Sequence, residues 1–249
     1  MCNHGEFAML KTLISQAEES GDVGIVFYDL SSGKGVTYNA DAEVYGASGF
    51  KAPYALYICE ALVETGQVKL DKPLSTYDKD STMGDMTVRE LIEASIINSD
   101  NDSFIALREA FNDMGFEDWA TALDAEEAQP TDGGEFPTYC ARTSAKLWKE
   151  MSAYLSTDSE TSRWLSRQLS STEMSFIRAG IQSDEANVFD KAGWIDEQGY
   201  EATCDSGLIQ IDGRTYVMSI MTSMPWSDAS SDLVEQMANE LFAARATFA

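Results

Sequence analysis

The chain has 249 residues, 44% of them hydrophobic and 24% charged, and its 42 acidic and 17 basic residues give a formal net charge of −25. That balance supplies a sizeable core, while the negative charge repels nucleic acid and anionic membrane surfaces, so neither is expected as a partner. His4 is the single histidine, which argues against Ser-His-Asp and Cys-His chemistry and a His-rich metal site; any base would be Lys, Asp, Glu or Tyr.

Apolar residues at three- and four-residue spacing predict an amphipathic helix over residues 6 to 19. Residues 24 to 30 and 35 to 40 read as two strands around the turn Ser31-Ser32-Gly33-Lys34. A helix is expected over 48 to 65. Another spans 87 to 98, with Thr87 and Glu90 forming a capping box. Further helices are expected over 102 to 112, 117 to 124, 143 to 155 and 161 to 170. Residues 187 to 195, 202 to 211 and 215 to 222 then read as three strands, and 232 to 246 as a closing helix. Strands clustered at both ends predict an α+β fold: one antiparallel sheet flanked by helices, with a helical insert. One domain over 1–249 is expected, with the α/β part at about 6–45 and 185–246 and the helical part at about 46–184. A crevice between the two parts is the natural place for a site.

No run of roughly 18 apolar residues is present, so no membrane-spanning segment is expected. Residues 1 to 5 are too short and polar for a signal peptide, and Cys2 is either a lipid-acceptor cysteine or incidental. Cys2, Cys59, Cys140 and Cys204 are too far apart for zinc-site spacing. Cys59 reads as core, and a Cys140–Cys204 bridge is open but unsupported.

Three short motifs carry chemistry. Ser48-Gly49-Phe50-Lys51 places a hydroxyl and an amine on one face of a helix start. A lysine whose pKa is lowered by burial or nearby positive charge can activate a serine, and the helix N-terminus favours developing negative charge. The spacing alone is weak: Ser31 and Lys34 share it, and taken by itself Ser48 is better explained by ordinary helix capping. Ser99-Asp100-Asn101 adds a second hydroxyl, able to relay a proton, and an amide; a helix end followed by an N-cap explains it too. Lys191-Ala192-Gly193-Trp194 falls on a predicted strand, where glycine marks close approach of another backbone or a ligand. A solvent-facing lysine and a bulge would also account for it.

Together and in this order the motifs resemble those of the class A β-lactamases and related DD-peptidases, S-x-x-K, S-D-N and K-[TS]-G. The likeness extends over about residues 6 to 246, including Ile177-Arg178-Ala179-Gly180 and the closing strands and helix. It implies that Ser48 forms the acyl-enzyme and that Lys51 takes its proton. It implies that Ser99 relays a proton to the leaving nitrogen with help from Lys191, and that Asn101 orients Lys51 and contacts substrate. Gly193 and Trp194 would line the substrate site, with the Ser48 and Trp194 amides as an oxyanion hole. The substrate would be a small molecule, a β-lactam or D-alanyl peptide, with no cofactor and no metal. The family's cell-wall setting implies an extracytoplasmic protein, with an export signal outside this sequence.

Two departures bear on function. Ala192 replaces the Thr or Ser of the third motif and loses a hydroxyl expected to bind a substrate carboxylate. The loop whose glutamate activates the deacylating water in class A β-lactamases is shorter by about a dozen residues. Glu127-Ala128-Gln129-Pro130-Thr131-Asp132 resembles its tail, leaving Glu126 or Glu127 as candidate deacylation bases or as solvated loop acids. The expected behaviour is acylation by β-lactams with atypical or slow release. The alternatives are a DD-peptidase-like amidase or esterase trapped by penicillin, and a noncatalytic β-lactam or muropeptide sensor.

Overall fold

The computed structural model describes residues 7–129 and 136–248; Cys2, His4, Pro130, Thr131 and Asp132 lie outside them. The chain opens with α1 (Ala8–Ala17), β1 (Val23–Asp29), β2 (Gly35–Tyr38) and β3 (Glu43–Tyr45), then a 3₁₀ turn, Ala47–Phe50, leading into α2 (Lys51–Tyr57). A π-helical stretch, Ile58–Val63, follows directly. Next come α3 (Val88–Ile97), α4 (Asn101–Phe111), α5 (Phe116–Ala122), β4 (Thr138–Cys140), α6 (Ala141–Leu155), α7 (Glu160–Leu169) and α8 (Phe176–Ile181). The chain closes with β5 (Asn187–Ile195), β6 (Ala202–Ile211), β7 (Arg214–Thr222) and α9 (Asp228–Ala244).

The main sheet runs in the order β2-β1-β7-β6-β5. Every neighbouring pair is antiparallel, and the β1–β7 pairing from Val23↔Thr222 to Asp29↔Tyr216 joins the two ends of the chain. The expected α+β arrangement is therefore what forms. Its inner strands β1, β6 and β7 are buried on both faces, because helices cover both, while the edge strand β2 is largely exposed. On one side Leu10, Leu13 and Ile14 of α1 pack with Phe176 and Ile177 of α8 and Val234, Met237 and Leu241 of α9. On the other, Leu208 and Val217 share a core with Phe50, Tyr54, Phe104 and Trp148 from the helical part.

Local chemistry sets the ends of the helices that matter. Thr87 accepts from the Glu90 amide while the Glu90 carboxylate accepts from the Thr87 amide, so the capping box starts α3 and contributes about 1 kcal/mol. Asp100 caps α4 by accepting from the Ser103 amide at 2.7 Å. The helix expected over 48 to 65 is in fact three geometries in succession, which a 3.6-residue periodicity does not separate. The ribbon of β3 and β4, with Glu43↔Cys140, Val44↔Tyr139 and Tyr45↔Thr138, is a second departure. Three-residue strands carry too short an alternation to be read from sequence.

Candidate active site

The 3₁₀ turn bearing Ser48 is wedged between the β3–β4 ribbon and β5, an edge strand of the main sheet. Two glycines permit this. A Cβ on Gly193 would lie 2.6 Å from the Gly49 nitrogen, 2.7 Å from the Gly46 oxygen and 3.1 Å from the Ser48 nitrogen. A Cβ on Gly46 would lie 2.2 Å from the Tyr139 ring. Ala47, just before Ser48, has φ 43°, and Ser99 has φ 59°. Left-handed backbone at two non-glycine residues is costly and is kept where the surrounding structure demands it. Ser48 itself is half-buried, open to solvent on one side.

Lys51 is the first residue of α2 and is 1% exposed. Its Nζ donates to the Ser99 carbonyl oxygen and to Asn101 Oδ1, both at 2.6 Å, and lies 3.5 Å from Ser99 Oγ. Ser99 and Asn101 arrive from the junction of α3 and α4. Lys191 of β5, also 1% exposed, donates from Nζ to Ser99 Oγ at 3.0 Å and to the Ala192 carbonyl at 2.9 Å. Ser99 Oγ thus accepts from Lys191 Nζ and lies within reach of Lys51 Nζ, so its own hydrogen is available toward the cleft. Burial pulls the Lys191 pKa down to about 8, although Asp205 and Asp190 oppose the shift. Lys191 Nζ also lies 5.3 Å from the centre of the Trp194 ring.

The other flank of Lys51 is aromatic. Its Nζ lies 5.8 Å from the centre of the Phe104 ring and 5.4 Å from that of Phe136. The two rings stack at 4.9 Å and 3°, and Tyr45 meets Phe136 edge-on at 6.2 Å.

Ser48, Lys51, Ser99, Asn101, Lys191, Gly193 and Trp194 therefore gather around one turn. Glu126 and Glu127 take different surroundings. Both are exposed, and Glu127 Oε1 accepts from Cys140 Sγ at 2.9 Å and from its amide at 3.3 Å. Successive residues of a strand point to opposite faces. Tyr139 turns toward Gly46 and Phe50, so Cys140 and its glutamate face away from the Ser48 side. There Glu126 and Glu127 line a groove with Asp41, Asp124, Arg142 and Lys146. Burial raises the Glu127 pKa, but hydrogen bonds from Cys140 and Thr143 outweigh it and hold the carboxyl below its ordinary value. Cys59, Cys140 and Cys204 are all free and buried. Cys204 sits opposite Gly193, with Sγ 3.6 Å from the Gly46 carbonyl oxygen, so the Cys140–Cys204 bridge does not form. Ala192 is fully buried among the α1, α8 and α9 side chains.

Sequence reasoning did not single out Phe104, Phe136 or Gly46. Phe104 looked like ordinary helix core, Phe136 followed a loop without periodicity, and a glycine ahead of a serine has many explanations.

This architecture, with its serine turn set against an edge strand, defines the fold of a β-lactamase-like serine hydrolase. Residues 8–244 match the β-lactamase enzyme family, and the chain belongs to it. Among solved structures, PBP-A superposes with a TM-score of 0.81 at 18% identity over 96% of each chain. A β-lactamase from Chitinophaga pinensis gives 0.80 at 18% identity, over 98% of this chain and 100% of that one. An ancestral class A β-lactamase gives 0.75 at 24% identity, over 96% and 98%. At these identities the structural likeness speaks for the fold. No curated protein matches the chain in sequence. Among the described residues no helix is long and apolar enough to cross a membrane.

Proposed function

We propose that the chain is a serine hydrolase that β-lactams acylate at Ser48 and that releases the acyl group slowly. Lys51 takes the Ser48 proton as Oγ bonds the lactam carbonyl carbon. As the carbon–nitrogen bond breaks, Ser99 passes a proton to the departing nitrogen and draws on Lys191 for its replacement. The amides of Ser48 and Trp194 bind the oxyanion, and Asn101 holds Lys51 and the substrate's amide. The substrate is a small molecule from the cell-wall setting, and the protein works outside the cytoplasm. The observation that carries this reading is the Ser99 hydroxyl, 3.0 Å from one buried lysine amine and 3.5 Å from the other. A mutant of the structural neighbour PBP-A forms an acyl-enzyme complex with penicillin G.

Intact-mass measurement after mixing with benzylpenicillin tests it. A covalent adduct is expected, absent in Ser48→Ala and persisting far longer than a turnover of an efficient hydrolase. Absence of any adduct and of any product overturns the reading. The Phe104–Phe136 pair beside Lys51 favours one second reading, a D-alanyl amidase or esterase that penicillin traps. Release of D-alanine from a D-alanyl-D-alanine peptide, with only a stable penicillin adduct, would select it.

A further inference from the structure

Slow release needs a physical cause, and the structure offers one on the aromatic flank of Lys51. Hydrolysis of the acyl-enzyme requires a water oxygen to bond the ester carbonyl carbon. The carbon–Oγ bond then breaks, and a water proton returns to Ser48 Oγ. That water must stand close to the ester and to a group that accepts its proton. Lys51 follows Ser48 by three residues, so the space flanking its amine adjoins the ester.

Phe104 and Phe136 occupy that flank. Centroid distances of 5.8 and 5.4 Å place the amine beside both rings of the stack, within the range of a contact between an amine and an aromatic ring. An intervening water would add a hydrogen bond of about 2.8 Å to an ordinary ring contact, and the observed separations leave too little room for both. The two rings differ in how they are held. Phe104 is fixed within α4 and is 1% exposed. Phe136 lies outside any helix or strand, two residues before β4, and is 7% exposed. It is held by stacking on Phe104 and by the edge of Tyr45. Phe136 is therefore the outer leaf of the wall, the ring whose loss would open the flank toward solvent.

We infer that Phe136 is the water-excluding residue that sets the lifetime of the Ser48 acyl-enzyme. This rests on the proposed acylation of Ser48 and adds to it the residue that controls the hydrolysis step. Phe136 meets the Lys51 amine only with its apolar ring. It acts by denying water a position, which no polar group on the Glu127 side of the ribbon would do.

The test uses the whole chain, benzylpenicillin as acyl donor, and Phe136→Ala, Phe136→Val and Phe136→Leu. Excess donor is removed after acylation, and the adduct is followed by intact mass. The adduct half-life is expected to fall about tenfold in Phe136→Ala, with Phe136→Leu closest to wild type and Phe136→Val between them, while acylation does not accelerate. General structural damage would slow acylation and leave release no faster. The graded series keeps the answer available from Leu and Val even where the alanine variant folds poorly. Equal half-lives across the series overturn the inference alone. A wild-type adduct hydrolysed within seconds overturns it too, because the ring would not be excluding water. A wild-type chain that never acquires an adduct removes the acylation reading, and this inference with it.

Discussion

The two flanks of Lys51 are built from opposite chemistries. Toward β5 every group is polar and bonded: Ser99 offers a carbonyl and a hydroxyl, Asn101 an amide oxygen, and Lys191 closes the network. Toward β4 the same amine meets two stacked phenyl rings. A satisfied buried polar network rigidifies and is costly to disturb in part, whereas an apolar wall resists water without specifying a proton path. The polar flank suits attachment of an acyl group. The apolar flank suits its retention.

The polar flank breaks most severely where backbones touch. Gly193→Ala inserts a methyl group 2.6 Å from the Gly49 nitrogen and 2.7 Å from the Gly46 oxygen. All of these are backbone atoms, so the serine turn or β5 must move. Displacement of roughly 1 Å in a reacting geometry costs about 100-fold, and overpacking of this kind costs about 1–3 kcal/mol of stability. The rate constant for adduct formation with benzylpenicillin is expected to fall by about that factor in a chain that still folds. Unchanged acylation would mean that the turn and the strand need not be in contact.

A smaller effect comes from titrating the same flank. Lys191 has its pKa lowered to about 8, chiefly by burial. Below that pH the ammonium donates to Ser99 Oγ; above it the donated proton is lost. Acylation is therefore expected to decline above pH 8, by up to about tenfold per pH unit. In Lys191→Arg acylation is expected to be slower at every pH and the alkaline decline to disappear, because a guanidinium stays charged and gives up no proton. Unfolding does not mimic this. The unfolded chain binds that proton more tightly, so this group's contribution to stability rises with pH from about 8 toward the ordinary lysine range. A flat profile to pH 9.5 in wild type, with the fold intact, would detach Lys191 from acylation.

How much of the fold and the site was legible in sequence depends on range. The capping box at Thr87 and the amphipathic stripe of α1 are local patterns, and both formed as expected. The antiparallel sheet joining the two ends was within reach because strands sat at the two ends of the chain and a helical block between them; the strand order was not. The Ser48, Ser99 and Lys191 motifs could be named, but each alone fitted a bland local explanation; their meeting is a tertiary fact. Left-handed φ at Ala47 and Ser99 leaves no mark in side-chain pattern, since neither residue is one of the types that favour it. Phe136 was invisible for a related reason: its role depends on a ring from α4 and an amine from α2, with no periodicity of its own.

The smallest expected effect belongs to Glu127, and its smallness is informative. The short loop made Glu126 and Glu127 the acids nearest in sequence to a deacylating glutamate. Glu127 instead accepts two hydrogen bonds from Cys140, on the strand face opposite Tyr139. Those bonds keep it ionised below the ordinary carboxylate range despite partial burial. Its stabilising contribution is thus present above the unfolded glutamate pKa and fades as pH falls through the lower folded value. In Glu127→Gln the amide oxygen still accepts from Cys140, so the melting temperature near neutral pH should drop by no more than about 2 °C. That difference should vanish in acid, where the wild-type carboxyl is protonated as well. Adduct lifetime with benzylpenicillin should stay within about twofold of wild type, a change under roughly 0.5 kcal/mol in the barrier. A lifetime lengthened tenfold would instead make Glu127 the base that clears the acyl group, and would require it to leave Cys140 and swing to the Ser48 side of the ribbon during the reaction.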